Sequence, residues 1–110
     1  MDKKTEILSL CIDLEYELRR LSLWSTSLPS PDAFASEIPF FLDTMTIPEW
    51  LQFVFLPKMH FLLEGGGELP QKCGVRAVAE EYFRGSDLDI ESLLSVLGEL
   101  DLQLTVEKRV

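Results

Sequence analysis

Apolar residues recur along most of this chain at the three- and four-residue spacing that is typical of amphipathic helices. The clearest repeat predicts a first helix from Asp2 to about Leu23. Its apolar positions are Ile7, Cys11, Leu14, Leu18 and Leu21. Similar repeats predict a helix over about Gly74–Phe83 and a last helix that begins with Asp87 or Asp89 as its N-cap and runs to about Thr105. No segment shows the alternation that would indicate a strand.

The stretch Pro39–Leu63 is the most apolar part of the chain and predicts a central helix. Thr46 and Glu49 have the spacing of a capping box, in which each side chain bonds the backbone amide of the other residue. From there we expect the helix to run to about Glu64, where Gly65–Gly67 can end it. Apolar side chains cover most of its circumference, which indicates that other helices surround it.

Pro57 lies inside the predicted central helix and lacks the N–H that would donate to the carbonyl of Phe53. We therefore expect a kink near residues 53–57, and a break into two helices is the alternative. Short connections between the amphipathic segments predict an all-α fold. We expect a single-domain bundle of about four main helices over residues 1–110.

The chain is acidic, with 19 acidic and 10 basic residues and a formal net charge of −9. Nucleic-acid phosphates and anionic membranes attract basic surfaces, so this balance argues against direct nucleic-acid or membrane binding and favours basic protein partners. No apolar run reaches the roughly 18 residues of a spanning helix, and the N-terminus has no signal-peptide pattern. These features predict a cytoplasmic protein.

Few residues suggest catalytic or metal chemistry. His60 is the only histidine, with Gln52 and Glu64 on the same side of the predicted helix. It is either a general base or metal ligand or, as we favour, an ordinary surface histidine. Cys11 is interpreted as a buried free thiol, and a disulfide to Cys73 is the less favoured alternative. We predict a protein that is not an enzyme and has no catalytic residue, cofactor or metal.

The acidic residues of the C-terminal half have two interpretations. We favour a solvated surface, and the alternative is a docking face for a basic partner. These residues are Glu80, Glu81, Asp87, Asp89, Glu91, Glu99 and Asp101.

Aromatic residues are concentrated in the middle of the chain, and most of them are expected in the core. Phe40 and Phe41 precede the central helix in a predicted loop, outside any helical stripe. If part of this aromatic set stays exposed, it forms an apolar groove, and such a groove is typical of a partner or ligand site. Asp43 and Thr44 either make a polar contact at the mouth of that pocket or, as we favour, bond backbone amides before the helix. The candidate binding surface is Pro39, Phe40, Phe41, Asp43, Thr44, Met45, Trp50 and Gln52.

Two motifs of this region resemble the YqcC-like family of small, uncharacterised bacterial proteins. They are PFFLDTM at Pro39–Met45 and EWLQFV at Glu49–Val54, and the likeness extends to Pro57–His60, Leu69-Pro70, Trp24 and Leu100-Asp101. The resemblance implies an all-α fold and a cytoplasmic bacterial protein, and it carries over no catalytic residue. In this family the gene commonly lies beside that of a tRNA pseudouridine synthase of the TruC type. The resemblance therefore implies an association with tRNA modification.

Three hypotheses on function remain open at this point. The first, which we favour, is a non-enzymatic helical protein-interaction module that contacts a protein partner, for which a tRNA pseudouridine synthase is one candidate. The second is a small-molecule-binding protein or minor enzyme with an apolar pocket near Asp43 and Trp50. The third is a homodimer whose aromatic face is its own interface.

Overall fold

A computed structural model of the chain describes residues 3–66 and 74–104. Within these residues the fold is all-α and has no strand, as predicted. Helix α1 spans Lys3–Arg20, α3 spans Val75–Tyr82 and α4 spans Glu91–Leu104. The central helix, α2, occupies residues 47–66 in four consecutive segments. Helix α4 packs against α1 and α3, and α1 also packs against α2, which together form a bundle.

The four helices share one hydrophobic core. Its largest fully buried side chains are Ile7, Leu14 and Leu18 from α1, Ile47, Leu51 and Met59 from α2, and Leu93, Leu97, Leu100 and Leu104 from α4. Helix α3 adds Val75 and Ala79. Burial of one large aliphatic side chain stabilises a fold by about 1.5–3 kcal/mol, so these leucine, isoleucine and methionine residues are the main source of stability.

The predicted capping box at the start of α2 is confirmed. The side-chain oxygen of Thr46 accepts the N–H of Glu49 at 3.2 Å, and Oε1 of Glu49 accepts the N–H of Thr46 at 2.8 Å. Two amides that would otherwise have no helical partner are thereby satisfied.

Helix α2 continues through Pro57 and changes its hydrogen bonding in doing so. It is α-helical over Ile47–Trp50, π-helical over Leu51–Phe55 and α-helical over Leu56–Phe61, and it ends in a wide turn over Leu62–Gly66, where Gly65 has a left-handed backbone with φ of 96°. In the first π-helical segment the N–H of Leu56 donates to the carbonyl of Leu51, five residues earlier. This wider turn lies where Pro57 removes an α-helical hydrogen bond, and such π-bulges are a known cause of helix kinks. The alternative of a break into two helices is wrong.

Helix α1 ends at Arg20 rather than at Leu23. Ser22 has a left-handed backbone conformation, with φ of 62°. The N–H of Leu23 then donates to the carbonyl of Leu18 at 2.8 Å, which is the closing bond of a Schellman motif. Sequence periodicity continued past this point because Leu21 and Leu23 both still pack on the core.

Helix α4 begins at Glu91, so the prediction that Asp87 or Asp89 is its N-cap is wrong. The carbonyl of Ile90 accepts the N–H of Leu94 at 2.8 Å and begins the helical ladder. Residues 86–90 are instead held as a connection, in which the Asp89 carbonyl accepts a hydrogen bond from the guanidinium group of Arg20 at 3.0 Å.

Two polar side chains fix the connections between helices. The carboxylate of Asp101 on α4 accepts the N–H groups of Val75 and Arg76, each at 2.9 Å, and so caps the start of α3. The side-chain amide of Gln52 accepts the N–H of Ser25 at 2.8 Å and donates to the Ser25 carbonyl at 2.9 Å. This pair of bonds holds the chain that leaves α1 against α2.

Cys11 is a buried free thiol, and its burial raises the pKa from 9.0 to about 11. Several predictions concern positions outside the described residues, namely Asp2, Gly67, Leu69, Pro70, Cys73 and Thr105.

Candidate functional site

A groove of about 440 Å³ opens on the surface between α2 and the loop that precedes it. Its loop wall consists of Ser36, Glu37, Ile38, Pro39, Phe40 and Phe41. Its helix wall consists of Trp50, Val54, Phe55, Lys58 and Met59. We call this surface the aromatic groove, since aromatic rings stand on both walls.

Hydrogen bonds within the loop give its wall a defined shape. The hydroxyl of Thr44 donates to the carbonyl of Ala33 at 2.8 Å, and the hydroxyl of Ser36 donates to Oδ1 of Asp43. The Ser36 hydroxyl also accepts the N–H of Ile38 at 3.1 Å. These bonds join the short 3₁₀ turn Pro31–Ala35 and the residue that follows it to the chain that leads into α2, so the loop is cross-linked within itself.

Two consecutive phenylalanines of this loop have left-handed backbones. Phe40 has φ of 59° and Phe41 has φ of 52°, a conformation that costs a non-glycine residue roughly 1–2 kcal/mol. The Phe41 carbonyl accepts the N–H groups of Thr44 at 3.0 Å and Met45 at 2.8 Å, which holds the turn. Unusual backbone geometry of this kind is concentrated at functional sites, because the surrounding structure must maintain it.

The left-handed turn directs one ring of the loop onto α2. The ring of Phe40 lies edge-on to that of Trp50, with centroids 5.0 Å apart and planes at 70°. Trp50 also contacts Phe55, at 5.6 Å between centroids. Both Phe40 and Trp50 are half-buried, so each ring packs on the core with one part and faces the groove with another.

Four residues of the candidate binding surface line the groove: Pro39, Phe40, Phe41 and Trp50. The other four lie elsewhere. Met45 is 6% exposed and belongs to the core, and Gln52 is 8% exposed and bonds the backbone of Ser25.

Asp43 and Thr44 also lie outside the lining of the groove, and they hold the loop together. We expected both side chains to bond backbone amides, and this is wrong. Thr44 donates to carbonyls, and Asp43 accepts from a hydroxyl. Both side chains nonetheless act locally, as the favoured interpretation held.

Sequence reasoning missed the helix wall beyond Trp50. Val54 and Lys58 follow Trp50 at successive four-residue steps, which places all three on one face of α2. That spacing was the available signal, but the helix is apolar on nearly every side and gave no reason to single out one face.

His60 is exposed and lies near Leu8, Leu63 and Glu64, away from the groove. Among the described residues there is no group of three or more side chains that could hold a metal ion. None of the described helices is long and apolar enough to span a membrane.

Comparison with known proteins identifies relatives of this chain. The family model DUF446, described as tRNA pseudouridine synthase C, matches residues 6–103. An uncharacterised protein of Haemophilus influenzae is 41% identical over 88 residues, which cover 80% of this chain and 82% of that protein. A Pectobacterium carotovorum protein named tRNA pseudouridine synthase C is 36% identical over 85 residues, which cover 77% of this chain but 23% of that protein.

A solved structure shares the fold over the full length. The solution NMR structure of protein YqcC from E. coli matches with a TM-score of 0.81 and 32% identity, covering 100% of this chain and 94% of that one. Sequence and fold agree with the resemblance carried by the PFFLDTM and EWLQFV motifs. The chain belongs to the YqcC-like family, DUF446.

Proposed function

We propose that this protein is a non-enzymatic binding module for a tRNA pseudouridine synthase of the TruC type, and that the aromatic groove is its binding site. The observation that carries the proposal is the groove itself, where Phe40 and Trp50 keep part of their rings open to solvent. Aromatic side chains dominate protein interfaces because each buries a large area and loses little conformational entropy. A preformed apolar groove on a stable scaffold is suited to receive a segment of another protein.

The Pectobacterium relative supports the choice of partner. A segment similar to this chain covers 23% of a protein named tRNA pseudouridine synthase C, so most of that protein's length lies outside the match. When two units belong to one chain, the linker keeps each at a high effective concentration near the other. When such units occur as separate chains, an interface must replace the covalent connection, and the groove is a surface of the required kind.

The net charge supports the same partner. The chain carries −9, and an enzyme that binds tRNA requires basic surface for the phosphates. Opposite net charges accelerate encounter and favour the correct pair over other proteins. The acidic surface thus contributes attraction at long range, and the groove contributes contacts at short range.

A small-molecule site is the second candidate. The volume of about 440 Å³ falls within the range of roughly 300–1,000 Å³ for small-ligand pockets. The polar groups expected for such a site are Asp43, Gln52 or His60. Asp43 and Gln52 bond Ser36 and Ser25 instead of lining the groove, and His60 lies away from it. The polar side chains that line it are Ser36, Glu37 and Lys58.

Calorimetric titration of the purified chain against the synthase from the same organism tests the proposal. We expect a complex with micromolar or tighter affinity, which Trp50→Ala weakens by at least about tenfold. Phe61→Ala is the matched control, because Phe61 is an aromatic residue of the same helix, 62% exposed and outside the groove. It is expected to bind like the unmodified chain.

A second variant guards against misfolding of Trp50→Ala, since Trp50 also contacts Phe40 and Phe55. Val54→Arg places a charge on the half-exposed helix wall and is expected to abolish binding with circular dichroism unchanged. Absence of a complex at tens of micromolar would refute the proposal. Light scattering on the free chain tests the homodimer hypothesis separately. A monomer in solution would contradict that hypothesis.

A further inference from the structure

We propose that Lys58 and Glu37 orient the segment bound in the aromatic groove. The segment would then be a short apolar stretch that carries an acidic residue facing Lys58 and a basic residue facing Glu37. This inference rests on the proposed function and specifies the chemistry of the partner segment.

The ion pairing of the described residues distinguishes Lys58 from the arginines. The arginines of the described residues pair with glutamates three or four positions before or after them in the chain: Arg19 with Glu15 at 2.8 Å, Arg20 with Glu17 at 2.7 Å, Arg76 with Glu80 at 3.5 Å and Arg84 with Glu81 at 2.5 Å. Lys58, like Lys3 and Lys4, makes no ion pair with any described residue, and of these three lysines it is the one that lines the groove.

The reason lies in its position on α2. The residues three and four positions away are Val54, Phe55, Phe61 and Leu62, so none of its neighbours on the helix surface carries a carboxylate. An exposed ammonium group therefore stands beside the apolar wall of the groove.

Glu37 has the corresponding position on the loop wall. It is exposed, lines the groove and forms no ion pair within the described part of the chain, with Lys58 or with any other cation. Opposite charges thus stand on opposite walls of an apolar groove. The charges of a bound segment would lie within reach of Lys58 and Glu37. A segment bound in the reverse direction would place like charges together, and the free-energy cost of this repulsion selects one orientation.

The helix wall sets the size of the segment. Lys58 follows Trp50 by two helical turns, or about 12 Å along the helix axis. This length accommodates about four residues of an extended chain or two turns of a helix. A second copy of this chain is a poor occupant, since two copies with a net charge of −9 each repel one another.

Reversing the charge of Lys58 tests this inference, because the inference predicts the opposite change in affinity from the one that net charge alone would cause. If only overall attraction to a basic enzyme matters, Lys58→Glu makes the chain more acidic and binds more tightly. If Lys58 faces an acidic residue, Lys58→Glu weakens binding to the purified synthase by about tenfold at low ionic strength. Arg84→Glu is the control, since it changes the net charge equally at an exposed position outside the groove.

Glu37→Lys is expected to weaken binding more than the matched control Glu80→Lys on α3. The inference fails if Lys58→Glu binds like Arg84→Glu and Glu37→Lys like Glu80→Lys while Trp50→Ala still weakens the complex. In that case the proposed function stands and only the orienting pair is refuted. If the unmodified chain does not bind the synthase, both are refuted.

Discussion

Gln52 illustrates how one polar side chain on an apolar helix can serve the fold. Its amide is buried and makes one accepted and one donated hydrogen bond with the backbone of Ser25. A side-chain amide carries both a donor and an acceptor, so it can satisfy a backbone N–H and a backbone carbonyl at once. From the sequence, Gln52 lay on the polar side of α2 with His60 and was a candidate binding residue. A helical wheel gives direction around the helix, but it does not show that the chain leaving α1 covers this position.

Cys11 provides a prediction on pH dependence. Burial raises its pKa from 9.0 to about 11, so the folded protein keeps the thiol protonated where the unfolded chain has already lost the proton. Below pH 9 both states are protonated and the thiol has no effect. As the pH rises from 9 to 11, the unfolded state binds fewer protons, and the free energy of unfolding falls by about 2 kcal/mol from this group.

Urea denaturation between pH 8 and 11 measures this effect. The comparison is between Cys73→Ser and Cys73→Ser with Cys11→Ala, because lysine and tyrosine titrations are common to both chains and cancel. We expect the two curves of stability against pH to converge as the pH rises. Parallel curves would show that the Cys11 thiol has an ordinary pKa.

At the scale of the helices, periodicity predicted the elements, and contacts between elements set their ends. The repeats predicted α1, α3 and α4, because apolar positions three and four residues apart record which face is buried. The capping box at Thr46 was predictable because both of its partners lie within four residues of each other. The start of α3 was not, since its cap, Asp101, comes from α4.

The candidate site shows the same division. The sequence singled out Phe40 and Phe41 because they belong to no helical stripe, and the structure places both in the groove with Trp50. Their left-handed backbones could not be predicted, since phenylalanine has no preference for this conformation. The turn is maintained by hydrogen bonds of residues on either side, from Met45 to the Phe41 carbonyl and from Thr44 to the Ala33 carbonyl.

The cap of α3 gives a second prediction. Asp101 accepts two backbone amides at the start of α3, where the N-cap residue Gly74 has no side chain to do so. Asp101→Asn keeps one acceptor oxygen and removes the charge that favours a helix N-terminus. We expect it to lower the free energy of unfolding by about 1–2 kcal/mol in urea denaturation.

Asp87→Asn is the control for this substitution, because Asp87 is exposed and lies outside the helices. It removes the same charge and is expected to change stability by less than about 0.5 kcal/mol. Equal effects of the two substitutions would mean that the contribution of Asp101 is its charge and not the cap.

At the scale of the whole molecule, charge and shape have separate roles. The acids of α3, α4 and their connection are exposed, and in the proposed complex they supply the attraction to a basic partner at a distance: Glu80, Glu81, Asp87, Asp89, Glu91 and Glu99. The groove lies between α2 and its preceding loop and offers rings, aliphatic side chains and two unpaired charges at contact distance. Added salt screens the first contribution more than the second, so the association rate is expected to fall with salt more steeply than the dissociation rate changes.

The most direct test of the groove as the binding site uses the two tryptophans of the chain as reporters. Trp50 lines the groove, whereas Trp24 lies outside it, 4.4 Å from the guanidinium group of Arg19. Labelling with 5-fluorotryptophan gives one ¹⁹F NMR signal for each, and titration with the unlabelled synthase follows both in one sample. We predict that the chemical shift of Trp50 changes on binding and that of Trp24 stays in place. A complex in which the Trp50 signal does not move, or in which Trp24 alone moves, would contradict the assignment of the groove.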